Sequence, residues 1–69
     1  SSDLFFTVVF VGKNTTVKNC VILNDVYIRD NVHLENCIVE SRGTINPNTC
    51  YCGEDGVMIV KEKNVRYVI

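Results

Sequence analysis

A repeat with a period of 17 residues runs through the chain and constrains its fold more than any other feature. Rows of this length that start at Val11, Ile28 and Ile45 align column by column. The first two rows match most closely, where residues 19–22 read NCVI and residues 36–39 read NCIV. A fixed short period is typical of architectures in which successive coils stack on one another. Because each coil needs only its neighbours, a chain of 69 residues can build a continuous core in this way.

The repeating unit is a hexad, which begins with an aliphatic residue and has a small or β-branched residue in its fifth position. Residues 11–16, 28–33 and 45–50 fit this pattern. We expect the aliphatic side chain to fill a narrow triangular core, while Asn, Asp and Gly supply the unusual backbone angles of the corners. Three hexads would require 18 residues, so each coil of 17 has lost one. We place the loss in the second unit, at residues 17–21 and 34–38.

The pattern divides the chain into three parts. Residues 1–10 are interpreted as the end of a preceding coil, residues 11–52 as regular coils, and residues 53–69 as a cap with a last strand at 65–69. A degenerate final repeat is expected because the terminal edge of a stacked sheet must be covered. The chain begins in the middle of the pattern, so we interpret it as a fragment of a longer protein.

Composition and charge argue against several functional classes. A hydrophobic content of 46% with a formal net charge of −1 is typical of a folded domain. Seven Lys and Arg residues against eight Asp and Glu leave no basic excess for nucleic acid. No apolar run is long enough to span a bilayer, and the first residues do not match a signal peptide. We therefore expect a cytoplasmic protein that binds neither nucleic acid nor membrane.

Two columns of the repeat suggest structural roles. Asn14, Asn31 and Asn48 form one column, in which stacked side-chain amides can bond to one another or to turn backbone. Cys20 and Cys37 form another. Neighbouring rungs lie about 4.8 Å apart, so a disulfide between them is sterically conceivable. We favour two small buried thiols, since free Cys suits a crowded core.

His33, the single histidine, is the candidate for acid–base chemistry. It shares a column with Cys50, so a contact between imidazole and thiol is possible, and a thiol nucleophile needs such a base. The sequence shows no carboxylate that would orient His33, and we favour a surface role. Cys50 and Cys52 point to one face of a strand, but a thiol pair without further ligands is a weak metal signal. We therefore predict no catalytic residue and no metal site.

Two basic residues are candidates for binding an effector. Lys13 and Arg29 lie in neighbouring columns of adjacent rungs and could meet an anionic effector. The alternative is surface charge that prevents edge-to-edge aggregation.

Aromatic residues cluster near the start of the chain and form the candidate interface. An upstream coil would cover them, or they would contact another subunit or domain. The four candidates are Phe5, Phe6, Phe10 and Tyr27.

The repeat resembles the hexapeptide repeat of left-handed β-helices, and this resemblance implies the handedness. Residues 11–25 are similar to the V-G-K-G-A-x-V-K-N-S-I-I-M-x motif of bacterial glucose-1-phosphate adenylyltransferases and their glycogen-biosynthesis companion subunits. Residues 28–39 resemble the I-G-x-x-A-x-L-E-N-x-I-x motif of that family, and residues 56–61 resemble its closing P-V-V-I-x-K segment. The expected fold is an all-β, short left-handed parallel β-helix of about three coils with a strand cap.

The resemblance also implies a function. The chain would be the non-catalytic C-terminal domain of a nucleotidyltransferase that converts ATP and glucose 1-phosphate to ADP-glucose and pyrophosphate. An N-terminal catalytic domain, absent here, would bind ATP with Mg²⁺, and this chain would carry no cofactor. Its implied roles are assembly of a homo- or hetero-oligomer, a tetramer in the parent, and transmission of allosteric effectors. The alternatives are a hexapeptide acyltransferase fragment that uses His33 and the β-helix of a translation-initiation exchange-factor subunit.

Overall fold

A computed structural model describes residues 3–66, which form ten short strands joined by turns and contain no helix. Accordingly, no helix in this range is long and apolar enough to cross a membrane. The strands are β1 (Leu4–Phe5), β2 (Val8–Val11), β3 (Thr16–Lys18), β4 (Val21–Ile22), β5 (Val26–Ile28), β6 (His33–Glu35), β7 (Cys37–Val39), β8 (Thr44–Ile45), β9 (Cys50–Cys52) and β10 (Met58–Val60).

The strands stack into three parallel sheets, one for each side of a triangular coil. Sheet A has the order β1-β4-β7-β10, sheet B has β2-β5-β8, and sheet C has β3-β6-β9. Each strand pairs with the third strand after it, because the chain completes one coil in three strands. Val21 pairs with Ile38 and Leu34 pairs with Tyr51, which is the 17-residue register of the sequence repeat. The predicted parallel β-helix of about three coils is confirmed.

The aliphatic residues of the hexads point inward and stack in columns along the axis. Burying one such side chain contributes about 1.5–3 kcal/mol. In the central coil each is covered by the equivalent positions of the coils on either side. The hydrophobic residues with at most 2% exposure are Cys20, Ile22, Val26, Ile28, Val32, Leu34, Cys37, Val39, Ile45 and Val60.

Left-handed backbone conformations turn the chain at the corners, as the polar positions of the hexads predict. Asn14 has a φ of 56° and lies three positions after the inward Val11. In the second unit Asn19, with a φ of 53°, lies only two positions after Val17. The shortened corner therefore lies in the second unit, where the sequence analysis placed it.

Side-chain amides connect adjacent coils at these corners. Asn31 Nδ2 donates to Asn48 Oδ1 at 3.1 Å, which confirms this step of the predicted ladder. A second ladder, which the sequence analysis missed, runs from Asn19 to Asn36 at 2.7 Å and from Asn36 to the Gly53 carbonyl at 2.9 Å. These bonds fix the stacking register because each joins equivalent positions of neighbouring coils.

The last coil departs from the period and closes the C-terminal edge. Residues 53–56 form an added loop, after which Met58 pairs with Cys37. Gly53 permits this loop, because a Cβ there would lie 2.4 Å from the Gly56 carbonyl oxygen. The strand predicted at 65–69 is wrong for residues 65 and 66, where Arg66 turns back to bond with Asp25 instead of continuing a ladder. Residues 67–69 of that prediction lie outside the described residues.

Candidate functional site

The coils leave three outward faces, and the candidate residues lie on them. On sheet C, parallel pairing places outward side chains in two columns. Because alternate residues of a strand share a face, the two columns lie side by side. The columns are Thr16, His33 and Cys50, and Lys18, Glu35 and Cys52.

His33 has a carboxylate partner that the sequence analysis did not find. Its Nε2 lies 3.1 Å from Glu35 Oε1, with the two side chains 38% and 37% exposed. The sequence could have indicated this pair, because residues two apart on a strand, such as His33 and Glu35, point to the same side. A general base also needs a place for its substrate, and residues 3–66 contain no detectable pocket.

Cys50 and Cys52 are free, exposed thiols on β9, and Cys50 lies opposite His33 as its column predicted. Desolvation raises the pKa of the Cys52 thiol, and the carboxylates of Glu35 and Glu54 raise it further. The surroundings of Cys52 therefore favour its neutral thiol over the free thiolate.

Cys20 and Cys37 are buried and form part of the hydrophobic core. The Cys20 thiol donates to the Lys18 carbonyl at 3.2 Å, and the Cys37 thiol donates to the Glu35 carbonyl at 3.1 Å. Burial raises the pKa of Cys37. Both thiols are free in the structure, which agrees with the interpretation of this column as two small buried thiols.

Of the aromatic interface candidates, the structure brings two together on the outer face of sheet B. The rings of Phe10 and Tyr27 stack with centroids 4.8 Å apart and an interplanar angle of 21°. Phe5 instead pairs with Ile22 in an inward column, yet is 44% exposed because it lies in the first coil. Phe6 is 53% exposed beyond the end of β1.

Arg66 holds the C-terminal segment across this face, and the sequence offered no signal for it. Its guanidinium donates to Asp25 Oδ1 at 3.2 Å, to the Asp25 carbonyl at 2.6 Å and to the Gly43 carbonyl at 3.0 Å. A further bond joins Arg66 Nε to Thr44 Oγ1 at 2.5 Å. The guanidinium carbon also lies 5.6 Å from the centre of the Tyr27 ring, within range of a cation–π interaction.

Lys13 and Arg29, the effector candidates, have different surroundings. The Arg29 guanidinium lies 5.9 Å from the Tyr27 ring centre. The backbone amide of Lys13 donates to Asp30 Oδ1 at 2.8 Å, so a carboxylate lies next to this position. That negative charge weakens the electrostatic attraction of an anion to Lys13.

The outer face of sheet A carries an aliphatic stripe that crosses all four of its strands. Register places Leu4, Val21, Ile38 and Ile59 in one column. The inward neighbours Ile22, Val39 and Val60 are buried, so alternation directs Val21, Ile38 and Ile59 outward. Leu4 pairs with Val21 and extends the same outward column. Leu4 is 53% exposed and Ile59 is 48% exposed, while the central two are partly buried. A continuous exposed apolar patch on a protein surface marks an interaction site.

The fold and these faces define the class of protein as a hexapeptide-repeat β-helix. The chain belongs to the family described as GlmU-like, C-terminal hexapeptide, whose model matches residues 1–66. This membership agrees with a left-handed helix and supports a β-helix domain of a nucleotidyltransferase-like protein. A search of curated proteins and a search of solved structures each found no match.

Proposed function

We propose that this chain is the non-catalytic assembly domain of a nucleotidyltransferase-like protein. The aliphatic stripe Leu4, Val21, Ile38 and Ile59 carries the proposal. Its four rungs extend the stripe over about 14 Å at the usual spacing between strands. Covering it with another copy would remove apolar surface from water at a gain of about 25 cal/mol per Å².

The stripe is suited to contact between subunits because its position follows from the repeat. Every rung of sheet A contributes one aliphatic side chain at the equivalent position of the same flat face, so the contact surface is straight and rigid. A rigid surface loses little conformational entropy when it binds. Straight β-helices packed side by side through sheet A would therefore form a homo- or hetero-oligomer. The family resemblance implies a tetramer for the parent protein.

We propose further that the parent protein is a glucose-1-phosphate adenylyltransferase or its companion subunit in glycogen biosynthesis. The likeness of residues 11–25 to that family and membership of the GlmU-like family support this. A separate N-terminal domain would join ATP and glucose 1-phosphate with Mg²⁺, releasing pyrophosphate. The test is formation of ADP-glucose by the parent protein, and activity with a different sugar phosphate or nucleotide in its place would contradict it.

Regulation by an anionic effector at Lys13 and Arg29 is a further part of this proposal and rests on the resemblance. Replacing both residues with Ala should abolish the response of the parent protein to phosphate-bearing activators. Unchanged activation kinetics would reject the role of this pair.

Assembly is tested by sedimentation velocity of the 69-residue chain and two variants. Wild type should sediment as an oligomer at micromolar concentration. Ile38→Lys should sediment as a monomer, because it places a charge at the centre of the stripe. Thr16→Lys places the same charge on the exposed strand of sheet C and should leave the oligomer intact.

The far-ultraviolet circular dichroism of all three proteins should match, which separates loss of assembly from loss of fold. A monomeric wild type would contradict the assembly role. So would an Ile38→Lys variant that remains assembled at the wild-type concentration.

A further inference from the structure

Four side chains that could contribute to a metal site occupy neighbouring positions on the outer face of sheet C, where β6 pairs with β9. His33 pairs with Cys50 and Glu35 pairs with Cys52. We propose that Cys50, Cys52 and His33 bind one zinc-class divalent ion, with Glu35 orienting the imidazole. This site is independent of the stripe on sheet A and of the assembly role.

The spacing of the sheet suits such a site. Residues two apart on a strand are separated by about 6.6–6.8 Å and point to one side, so Cys50 and Cys52 can lean towards each other. Two thiolates on one tetrahedral zinc ion, each at about 2.3 Å, require sulfur atoms about 3.8 Å apart. His33 lies one rung away, at about 4.8 Å, and its longer side chain reaches over the pair.

The imidazole of His33 is already oriented by an acceptor. Its Nε2 lies 3.1 Å from Glu35 Oε1, so Nδ1 is the ring nitrogen assigned to the metal. Metal-binding histidines commonly donate their second ring nitrogen to a carboxylate, which fixes the tautomer and strengthens the ligand. Glu35 is therefore a positioning residue in this site.

The exposed thiols are distinct from the buried pair. Cys50 and Cys52 are exposed, whereas Cys20 and Cys37 are buried and donate to backbone carbonyls. Exposed thiols add little to core packing, and thiolate with imidazole is the donor set that zinc and cobalt(II) prefer.

Binding requires the side chains to rotate into place. Within residues 3–66, no three His, Cys, Asp or Glu groups already converge on a point that could hold an ion. Cys50 and Cys52 are exposed, so their side chains can rotate without disturbing the buried core. The two thiols release two protons as two metal–sulfur bonds form, so a divalent ion and two thiolates balance in charge. A water molecule completes the four-coordinate shell.

Cobalt(II) is the probe, because thiolate binding produces a near-ultraviolet charge-transfer band. Titration of the reduced protein should give one ion per chain, and zinc should displace it. The double variant Cys50→Ser/Cys52→Ser should lose the band. His33→Ala and Glu35→Gln should each weaken binding at least tenfold, in line with the effect of removing a ligand or its carboxylate partner.

The double variant Cys20→Ala/Cys37→Ala is the matched control, since it also removes two thiols and should retain the band. If that variant does not fold, alkylation of wild type with and without zinc replaces it. Zinc should then protect Cys50 and Cys52, as read by mass spectrometry. The proposal would be overturned if no band appears, or if the band survives in Cys50→Ser/Cys52→Ser. Binding of one ion per two chains, or protection confined to Cys20 and Cys37, would also overturn it.

Discussion

At the residue scale, the corners of the coils depend on side chains that accept a left-handed backbone. Six of the seven non-glycine residues with positive φ in the described part of the chain are Asn or Asp. Such residues tolerate this conformation because their short polar side chains bond locally. Arg42 is the exception, with a φ of 63° at an exposed corner. The hexad pattern predicted polar corners, but Arg gave no sign that position 42 is left-handed.

Arg42→Asn should therefore stabilise the β-helix. The expected gain is up to about 1 kcal/mol in the free energy of unfolding, since a left-handed residue with a Cβ costs about 1–2 kcal/mol and Asn relieves part of this. The backbone bond from the Arg42 amide to the Asn24 carbonyl, at 2.8 Å, is kept in the variant. Urea unfolding followed by circular dichroism measures the change.

Arg42→Ala is the control for this prediction. Alanine removes the same long side chain but offers no polar group to support the left-handed conformation, so it should not stabilise. Equal gains for the two variants would show that the Arg42 side chain, and not its backbone conformation, is unfavourable.

At the scale of elements, the segment after β10 closes the end of the core. Tyr51 belongs to the inward column of Val17 and Leu34, and its hydroxyl donates to the Glu62 carboxylate. Asn64 Nδ2 donates to the same carboxylate at 2.5 Å and to the Thr44 carbonyl at 2.8 Å. This polar cluster lets a degenerate repeat cover the final coil, because it satisfies the polar groups that the closure partly buries.

The cluster predicts a loss of stability in alkali. The hydrogen bond to Glu62, followed by desolvation, raises the pKa of Tyr51 from 10.0 to about 12. The unfolded chain therefore releases this proton first, and the stabilisation is complete below pH 10 and lost as the pH rises through 12. Urea midpoints measured across this range should fall for wild type.

Tyr51→Phe isolates this contribution from other groups that titrate in alkali. The variant should be less stable by about 1 kcal/mol at neutral pH, the usual value of one hydrogen bond, and should lose less stability in alkali. Parallel pH profiles for the two proteins would contradict the assignment to Tyr51.

At the scale of the whole molecule, the two ends of the β-helix differ. The C-terminal end is closed, with Val60 at 2% exposure beneath the terminal segment. At the other end the inward residues Phe5 and Val11 are 44% and 45% exposed. Stacked-repeat proteins gain stability from contacts between neighbouring coils, so the first coil should be the least stable.

Two Val→Ala substitutions on sheet B measure this difference with the same chemistry. Val26 has 0% exposure, and Val26→Ala should cost about 2–3 kcal/mol because it leaves a cavity. Val11 is 45% exposed, so Val11→Ala should cost about 1 kcal/mol or less. Unfolding in urea gives both values, and equal costs would show that another chain or copy covers the open end in solution.

The sequence by itself determined the architecture, since the 17-residue period, the inward aliphatic columns and the shortened corner depend on local geometry repeated in every coil. Only the tertiary structure decided which of two adjacent apolar columns faces outward. Val21 and Ile22 are equally apolar, yet one lies in the surface stripe and the other in the core. The contact of Arg66 with Asp25 likewise joins residues 41 positions apart, outside any repeat. Such contacts form where an irregular segment folds back on the stacked coils, and no local sequence pattern specifies which residues that segment will contact.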